Sequence, residues 1–150
     1  MYDPKRKPFF IPFADADPKD GNMPFKPSDA IQIPHTHPKL IYICSPSDPS
    51  NMDKASDQML NESTYAVFVV RRGCIPMTPH LSVSFLRCMP DQEMVDRAVE
   101  CEHQMIHACD ELWAFMEEGR DYGMFVEIQM ATLLNKPVHF FNKDFQEVKL

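Results

Sequence analysis

The stretch CDELWAFM, from Cys109 to Met116, and the stretch GMFVEIQMA, from Gly123 to Ala131, decide the fold between them. The first is a short apolar run with strand-forming residues, and the second has the composition of a buried helix. Asp110 stands at the start of the predicted strand, and Glu127 lies one turn inside the predicted helix. Ligands of open α/β sheets bind beyond the carboxyl ends of the strands, where the loop joining these two segments lies.

Strand and helix patterns alternate along the rest of the chain, which predicts a parallel sheet with right-handed crossovers and helices on both faces. We therefore expect a flavodoxin-like or Rossmann-like α/β domain of three layers, with strand order 2-1-3-4 and Pro76 in an edge strand. The predicted strands are 39–44, 74–77, 110–116 and 137–141, and the predicted helices are 54–72, 92–107 and 122–135.

Two of the predicted helices have apolar lines that should face the sheet. In the first helix this line consists of Ala55, Met59, Leu60, Ala66, Val67 and Val70. In the second it runs through Val95, Ala98, Val99, Met105 and Ile106, and Glu102 interrupts it. Asp91, Gly73 and Asn135 are expected at helix ends, because Asp caps helix N-termini and Gly and Asn adopt left-handed backbone conformations.

Residues 1–38 form a separate region with eight of the fourteen prolines and no periodic apolar pattern. Proline lacks the backbone donor, so neither a helix nor a central strand is expected there. The region is nevertheless rich in phenylalanine, which favours an extended arm packed across the domain at 39–150 or onto a neighbouring subunit. A disordered tail is the alternative.

Composition excludes several classes of function. The net charge of -7 argues against a nucleic-acid partner, which would need a basic face. No apolar run approaches the roughly 20 residues that a membrane span requires. The odd number of five cysteines and the lack of a recognisable signal peptide predict reduced thiols and a cytoplasmic protein. His103 and His107 are one helical turn apart, but no third ligand accompanies them, so we expect no metal site.

Three segments should converge at the carboxyl edge of the sheet: residues 45–50, 78–84, which include His80, and 117–127, which include Arg120. Gly123 would let a ligand approach the backbone closely, and the helix dipole would keep Glu127 ionised, as a nucleophilic carboxylate must be. The alternative is that Glu127 is an ordinary glutamate early in a helix.

The position of Asp110 is the weak point of a two-acid site. A strand of seven residues spans roughly 23 Å at about 3.3 Å per residue, so an acid at its start lies far from the carboxyl edge. Glu117, Glu118 and Asp121 are competing acids on the correct side of the sheet.

Four segments together resemble the nucleoside 2-deoxyribosyltransferase-like superfamily, especially an uncharacterised branch found in bacteria and phages. They are KLIYICSP at 39–46, CDELWAF at 109–115, GMFVEIQMA at 123–131 and KPV at 136–138. The resemblance spans about residues 39–141, and the Gly-Met-x-x-Glu segment is its most specific part.

The resemblance implies an enzyme that needs no cofactor: a glutamate attacks C1′ of the sugar, the base leaves with help from an acid, and a second base or water takes the sugar. It implies Glu127 as nucleophile, Tyr42 as the residue that orients it, and Asp110 as the corresponding strand acid. It implies a 5′-phosphate site at Ser45, Pro46, Ser47, Tyr122 and Gly123.

The resemblance leaves a choice of function. The expected partner is a nucleoside or nucleoside 5′-monophosphate, which is either cleaved by an N-glycosidase or deoxyribosyltransferase, or bound without cleavage by a sensor or sponge for a nucleotide signal. Self-association into a homo-oligomer is expected in both cases.

Overall fold

The sheet and its helices are seen in a computed structural model, which describes residues 37–46, 52–87, 89–116 and 122–149. Nearly all of the proposed N-terminal arm at 1–38 lies outside these ranges, so the arm stays a prediction. The elements are, in chain order, β1 (Leu40–Cys44), α1 (Met52–Arg71), β2 (Ile75–Met77), α2 (Pro79–Ser82), α3 (Ser84–Arg87), α4 (Gln92–Ala108), β3 (Glu111–Phe115), α5 (Tyr122–Leu133), β4 (Val138–Phe141) and β5 (Glu147–Val148).

The strands of the described residues form one sheet in the order β2-β1-β3-β4-β5, which confirms the predicted order 2-1-3-4. The pairs β1–β2, β1–β3 and β3–β4 are parallel. In the central pair, β1 and β3, the register runs from Ile41 opposite Glu111 to Cys44 opposite Ala114. The added strand β5 is antiparallel to β4. The segment after β2 contains the short helices α2 and α3, which are not among the predicted helices.

The ends of the long helices are where the residue types predict them. Asp91 is the N-cap of α4, and its side chain accepts a hydrogen bond of 2.9 Å from the backbone N–H of Glu93. Gly73 follows α1 with φ of 75°, and Asn135 follows α5 with φ of 54°. Both residues take the left-handed conformation that ends a helix at low steric cost.

Each face of the sheet has its own core, and this gives the predicted three layers. The face covered by α4 and α5 buries Tyr42, Cys44, Ile106, Cys109, Leu112, Ala114, Met124 and Ala131. The face covered by α1 buries Ile41, Ile43, Tyr65, Val69, Trp113, Phe115 and Phe141. Among the described helices, none is long and apolar enough to cross a membrane.

Helix α1 packs with a different face from the one predicted. Its buried residues are Glu62, Tyr65 and Val69, whereas Leu60 and Val67 are exposed. The ring of Tyr65 stacks on that of Phe115 with centroids 4.2 Å apart. The aromatic side of α1 therefore faces the sheet, because aromatic rings bury more apolar area than the aliphatic side chains on the opposite side.

Candidate functional site

Tyr42 and Glu127 meet where β1 and α5 come together. The Tyr42 hydroxyl donates a hydrogen bond of 2.8 Å to Oε1 of Glu127. Tyr42 is buried and Glu127 is half-buried in the second turn of α5. Desolvation first, and then the adjacent charge of Glu127, raise the pKa of Tyr42 well above its usual value. The phenol therefore keeps its proton and acts only as a donor that orients the carboxylate.

A second polar group connects α1, α2 and the end of β1. The buried carboxylate of Glu62 accepts hydrogen bonds from the backbone N–H of His80 at 3.1 Å and of Leu81 at 2.6 Å. Nδ1 of His80 lies 3.6 Å from Oε1 of Glu62 and 3.3 Å from the hydroxyl of Ser45. Two residues that the sequence assigns to ligand binding, Ser45 and His80, are thus brought into contact.

Glu62 titrates near neutral pH. Burial is the largest cause and raises the pKa of its carboxyl from 4.5 to about 7, against the backbone N–H groups of His80 and Leu81, which lower it. The charges of Glu127 and Glu102 raise it further. Glu62 is therefore close enough to Glu127 for the two carboxyl groups to interact, and it holds a proton more readily than an exposed glutamate.

Glu102 is a third acid in this region. It is buried on the inward line of α4 between Ala98 and Ile106. Arg87, from α3, forms a two-pronged ion pair with it, in which Nε lies 3.2 Å from Oε1 and Nη2 contacts Oε2. The guanidinium balances a carboxylate that would otherwise be buried without a partner, and it ties α3 to α4.

We expect Arg87→Met to lower the free energy of unfolding by about 2 kcal/mol, because it leaves the Glu102 charge buried and unpaired. Urea denaturation at pH 7 measures the change. Arg97→Met is the matched control, because the pair of Arg97 with Glu100 on the same helix is exposed and should contribute less than about 0.5 kcal/mol. Equal losses in the two variants would contradict a special role for the buried pair.

Asp110 is not brought together with Tyr42 and Glu127. It lies at the amino end of β3, where the backbone N–H of Leu40 donates to Oδ2 of Asp110 at 2.7 Å and the Asp110 N–H donates back to Leu40 O. Ala114, four residues further along, lies roughly 13 Å closer to the carboxyl edge at about 3.3 Å per residue. Asp110 therefore lies at the amino ends of the strands, where it pairs with Leu40, and not at the carboxyl edge of the sheet.

Of the other residues proposed to contact the ligand, the structure describes some and does not describe the rest. Pro46 is half-buried directly after Ser45, and Tyr122 and Gly123 are exposed at the start of α5. Ser47, Arg120 and the competing acids Glu117, Glu118 and Asp121 lie outside the described residues. Within the described part of the chain, no group of three His, Cys, Asp or Glu side chains could hold a metal ion.

The sequence analysis did not predict two acids of this region, Glu62 and Glu102, as site residues. Glu102 had a signal, since it interrupts the apolar line of its helix, and a charge on an inward line is usually paired. Glu62 stands three residues before Tyr65 and seven before Val69, and would have been noticed if the aromatic side of α1 had been assigned to the core.

Solved structures with a similar fold include deoxyribosyltransferases. A 2-deoxyribosyltransferase from the psychrotolerant bacterium Bacillus psychrosaccharolyticus aligns with a TM-score of 0.51 and 17% identity, over 73% of this chain and 77% of that chain. The 2-deoxyribosyltransferase of Leishmania mexicana aligns with a TM-score of 0.47 and 22% identity, over 71% of this chain and 66% of that chain, just under two thirds of its length.

Strand order, helix placement and this likeness define the class as a Rossmann-like α/β domain with a nucleoside deoxyribosyltransferase-like fold. Residues 39–141 match the model of the family described as domain of unknown function DUF7768, and the chain belongs to that family. Comparison with curated proteins finds no matching sequence.

Proposed function

We propose that this domain breaks the N-glycosidic bond of a nucleoside or nucleoside 5′-monophosphate, with Glu127 as the nucleophile. The contact of 2.8 Å between the Tyr42 hydroxyl and Glu127 is the observation that supports this proposal most directly. A neutral, buried donor that holds one oxygen of a carboxylate fixes the plane of the carboxylate, and a nucleophile needs a fixed direction of attack.

The reaction has two steps. In the first, a carboxylate oxygen of Glu127 forms a bond to C1′ of the sugar, the C1′–N bond breaks, and the departing base keeps the electron pair of that bond and takes a proton from water. In the second, water or another base attacks C1′, gives up a proton, and displaces Glu127, which returns to its ionised form. Positive charge develops on the sugar in each step, and the nearby carboxylate stabilises it.

The ligand would lie along the carboxyl edge of the sheet. Ser45 and His80 offer hydrogen-bonding groups on one side, and the first turn of α5, with Tyr122 and Gly123, offers backbone N–H groups on the other. The 5′-phosphate is assigned to these groups together with Pro46, Ser47 and Arg120. Asp110 is left out of this site, because its side chain lies at the amino edge.

Glu62 complements the nucleophile by holding a proton. Two carboxylates that interact through space repel each other when both are ionised, so a proton on Glu62 removes a negative charge from the surroundings of Glu127. Burial raises the pKa of Glu62 most, the N–H groups of His80 and Leu81 oppose it, and the charge of Glu127 adds to it, which gives a pKa of about 7, near physiological pH.

A domain that binds a nucleotide or nucleotide-derived signal without cleaving it is the second candidate. One observation favours it: of the acids in the described residues, Glu62, whose carboxyl interacts with the charge of Glu127, is buried against α2, and Glu102 is buried against Arg87. Neither is placed as an exposed acid that could protonate a departing base. General acid help is typically worth about 10²–10⁴-fold, so a site without it would cleave a bound nucleotide far more slowly.

One incubation distinguishes the two candidates. The purified protein is mixed with nucleosides, nucleoside 5′-monophosphates and NAD-related molecules, and the mixtures are separated by chromatography before and after denaturation of the protein. The proposed enzyme releases free base in amounts exceeding the protein. A binding domain yields intact ligand, recovered in amounts no greater than the protein. Release of no base from any substrate would refute the enzymatic proposal.

A further inference from the structure

The solvent side of α1 carries an apolar stripe. It consists of Met59, Leu60, Ser63, Val67 and Val70, and the exposed fractions of its four large side chains are 43% for Met59, 66% for Leu60, 52% for Val67 and 56% for Val70. The spacing from Leu60 to Ser63, Val67 and Val70 is three, four and three residues, which places them on one side of a helix. We call these five residues the α1 stripe.

The α1 stripe is not explained by packing within the described residues. The opposite side of the same helix, with Tyr65 and Val69, already packs against the sheet. A helix that packs on one side normally has polar residues on the other, and contiguous exposed apolar side chains mark interaction surfaces.

Two hydroxyl side chains, Ser63 in the middle of the α1 stripe and Thr64 at its edge, form hydrogen bonds within the helix. Ser63 Oγ donates to Met59 O at 2.8 Å, and Thr64 Oγ1 donates to Leu60 O at 3.1 Å. Both hydroxyl protons are therefore used within the helix, and a covering surface would leave no donor unsatisfied there. The two side chains are also small enough for another helix to approach closely.

Two opposite charges lie on α1, one before and one after Thr64 along the helix. Asp57 stands seven residues before Thr64 and Arg71 stands seven residues after it, and both are exposed. At 100° per residue, both lie toward the same edge of the α1 stripe, and they are roughly 21 Å apart along the axis at about 1.5 Å per residue. The charges are thus arranged symmetrically about Thr64 and are opposite in sign.

We propose that the α1 stripe binds the α1 stripe of a second copy of this chain, with the two helices antiparallel and a twofold axis near Thr64. In that arrangement Leu60 packs near the partner's Val67, and Asp57 lies beside the partner's Arg71. Twofold symmetry forms each contact twice. A parallel arrangement would place Asp57 beside Asp57 and Arg71 beside Arg71, so charge selects the antiparallel dimer. This inference does not depend on the proposed function.

The first test is the mass of the full chain in solution, measured by sedimentation equilibrium over a range of concentrations. We expect a dimer of twice the 17.4 kDa chain mass, or an assembly built from such dimers. Leu60→Asp combined with Val67→Asp should halve the mass. The matched control is Leu133→Asp, which changes a leucine that is 82% exposed on α5 and should leave the mass unchanged.

The second test exchanges the charges. Asp57→Arg and Arg71→Asp should each weaken the dimer about tenfold, because each places two like-charge pairs at the symmetric interface. The variant with both changes should restore the dimer, since every pair is again opposite in sign. Circular dichroism checks that each variant is folded.

Several outcomes would overturn the proposal. They are a monomeric wild-type chain, an oligomer whose mass the Leu60 and Val67 changes leave intact, and single charge variants that the double exchange does not rescue. A monomer that loses thermal stability when Leu60 becomes Asp would show instead that the chain covers the α1 stripe itself. A complex with a different protein and no self-association would likewise exclude the dimer.

Discussion

We expect Glu127→Gln to reduce base release by roughly 10⁴-fold or more and to leave the fold and ligand binding intact, as the proposed role of Glu127 as nucleophile requires. The amide oxygen of Gln still accepts the hydrogen bond from Tyr42, so the packing between β1 and α5 is preserved. The amide is a far weaker nucleophile than a carboxylate and carries no charge to stabilise the sugar cation, which is why the loss falls on chemistry. Single-turnover release of base, followed by chromatography, measures the rate, and a thermal melt checks the fold.

Two further variants test how specific the effect of Glu127→Gln is. Tyr42→Phe removes only the hydroxyl that orients the carboxylate, so we expect a smaller loss, on the order of 10²-fold, from misdirected attack. Glu100→Gln changes an exposed glutamate on α4 and should release base at the normal rate. A Glu127→Gln protein as active as the wild type would eliminate Glu127 as the nucleophile, whatever the domain binds.

Glu62 should make the protein less stable as the pH rises from about 4.5 to about 7. Its pKa is about 7 in the folded protein and 4.5 when exposed, so the folded state binds more protons than the unfolded state in this window. Stability therefore falls as the carboxyl ionises. The difference between the two pKa values corresponds to roughly 3 kcal/mol, reached above pH 7.

Glu62→Gln isolates this effect, because the amide resembles the protonated acid and does not titrate. The difference in unfolding free energy between wild type and Glu62→Gln, measured by urea denaturation at pH 4.5, 6 and 8, should shift by roughly 3 kcal/mol in favour of the variant. The pKa of Glu111 is lowered, chiefly by its hydrogen bonds to Lys39 and Trp113 against the effect of burial, so its contribution is lost only in acid, below this window. A difference that is constant with pH would show that Glu62 titrates normally.

Much of the fold was predictable because it rests on local chemistry. Apolar runs long enough for buried strands locate β1, β3 and β4, and Gly73, Asp91 and Asn135 mark helix ends through backbone preferences that need no tertiary contact. Alternation of strand and helix then leaves few topologies, and the one observed is among them. The place of Glu127, one turn into a helix at the carboxyl edge, follows from the same reasoning.

The errors have a common physical cause. Helical spacing shows which residues share a side, but two sides of α1 are apolar, and only competition for the sheet decides that Tyr65 faces inward and Leu60 outward. The short strand β5 forms because the backbone of β4 offers it hydrogen-bond partners. The sequence pattern within its two residues therefore does not predict it.

The sequence by itself determined the α/β class, the order of the strands and the position of one acid at the carboxyl edge. Only the tertiary structure decided which other groups share that site. Tyr42 meets Glu127 across 85 residues of chain, Glu62 is buried within range of the charges of Glu127 and Glu102, and Asp110 is held at the opposite edge. Contacts between residues far apart in sequence depend on how strands and helices pack, and burial, which sets the pKa of Glu62, exists only once they have packed.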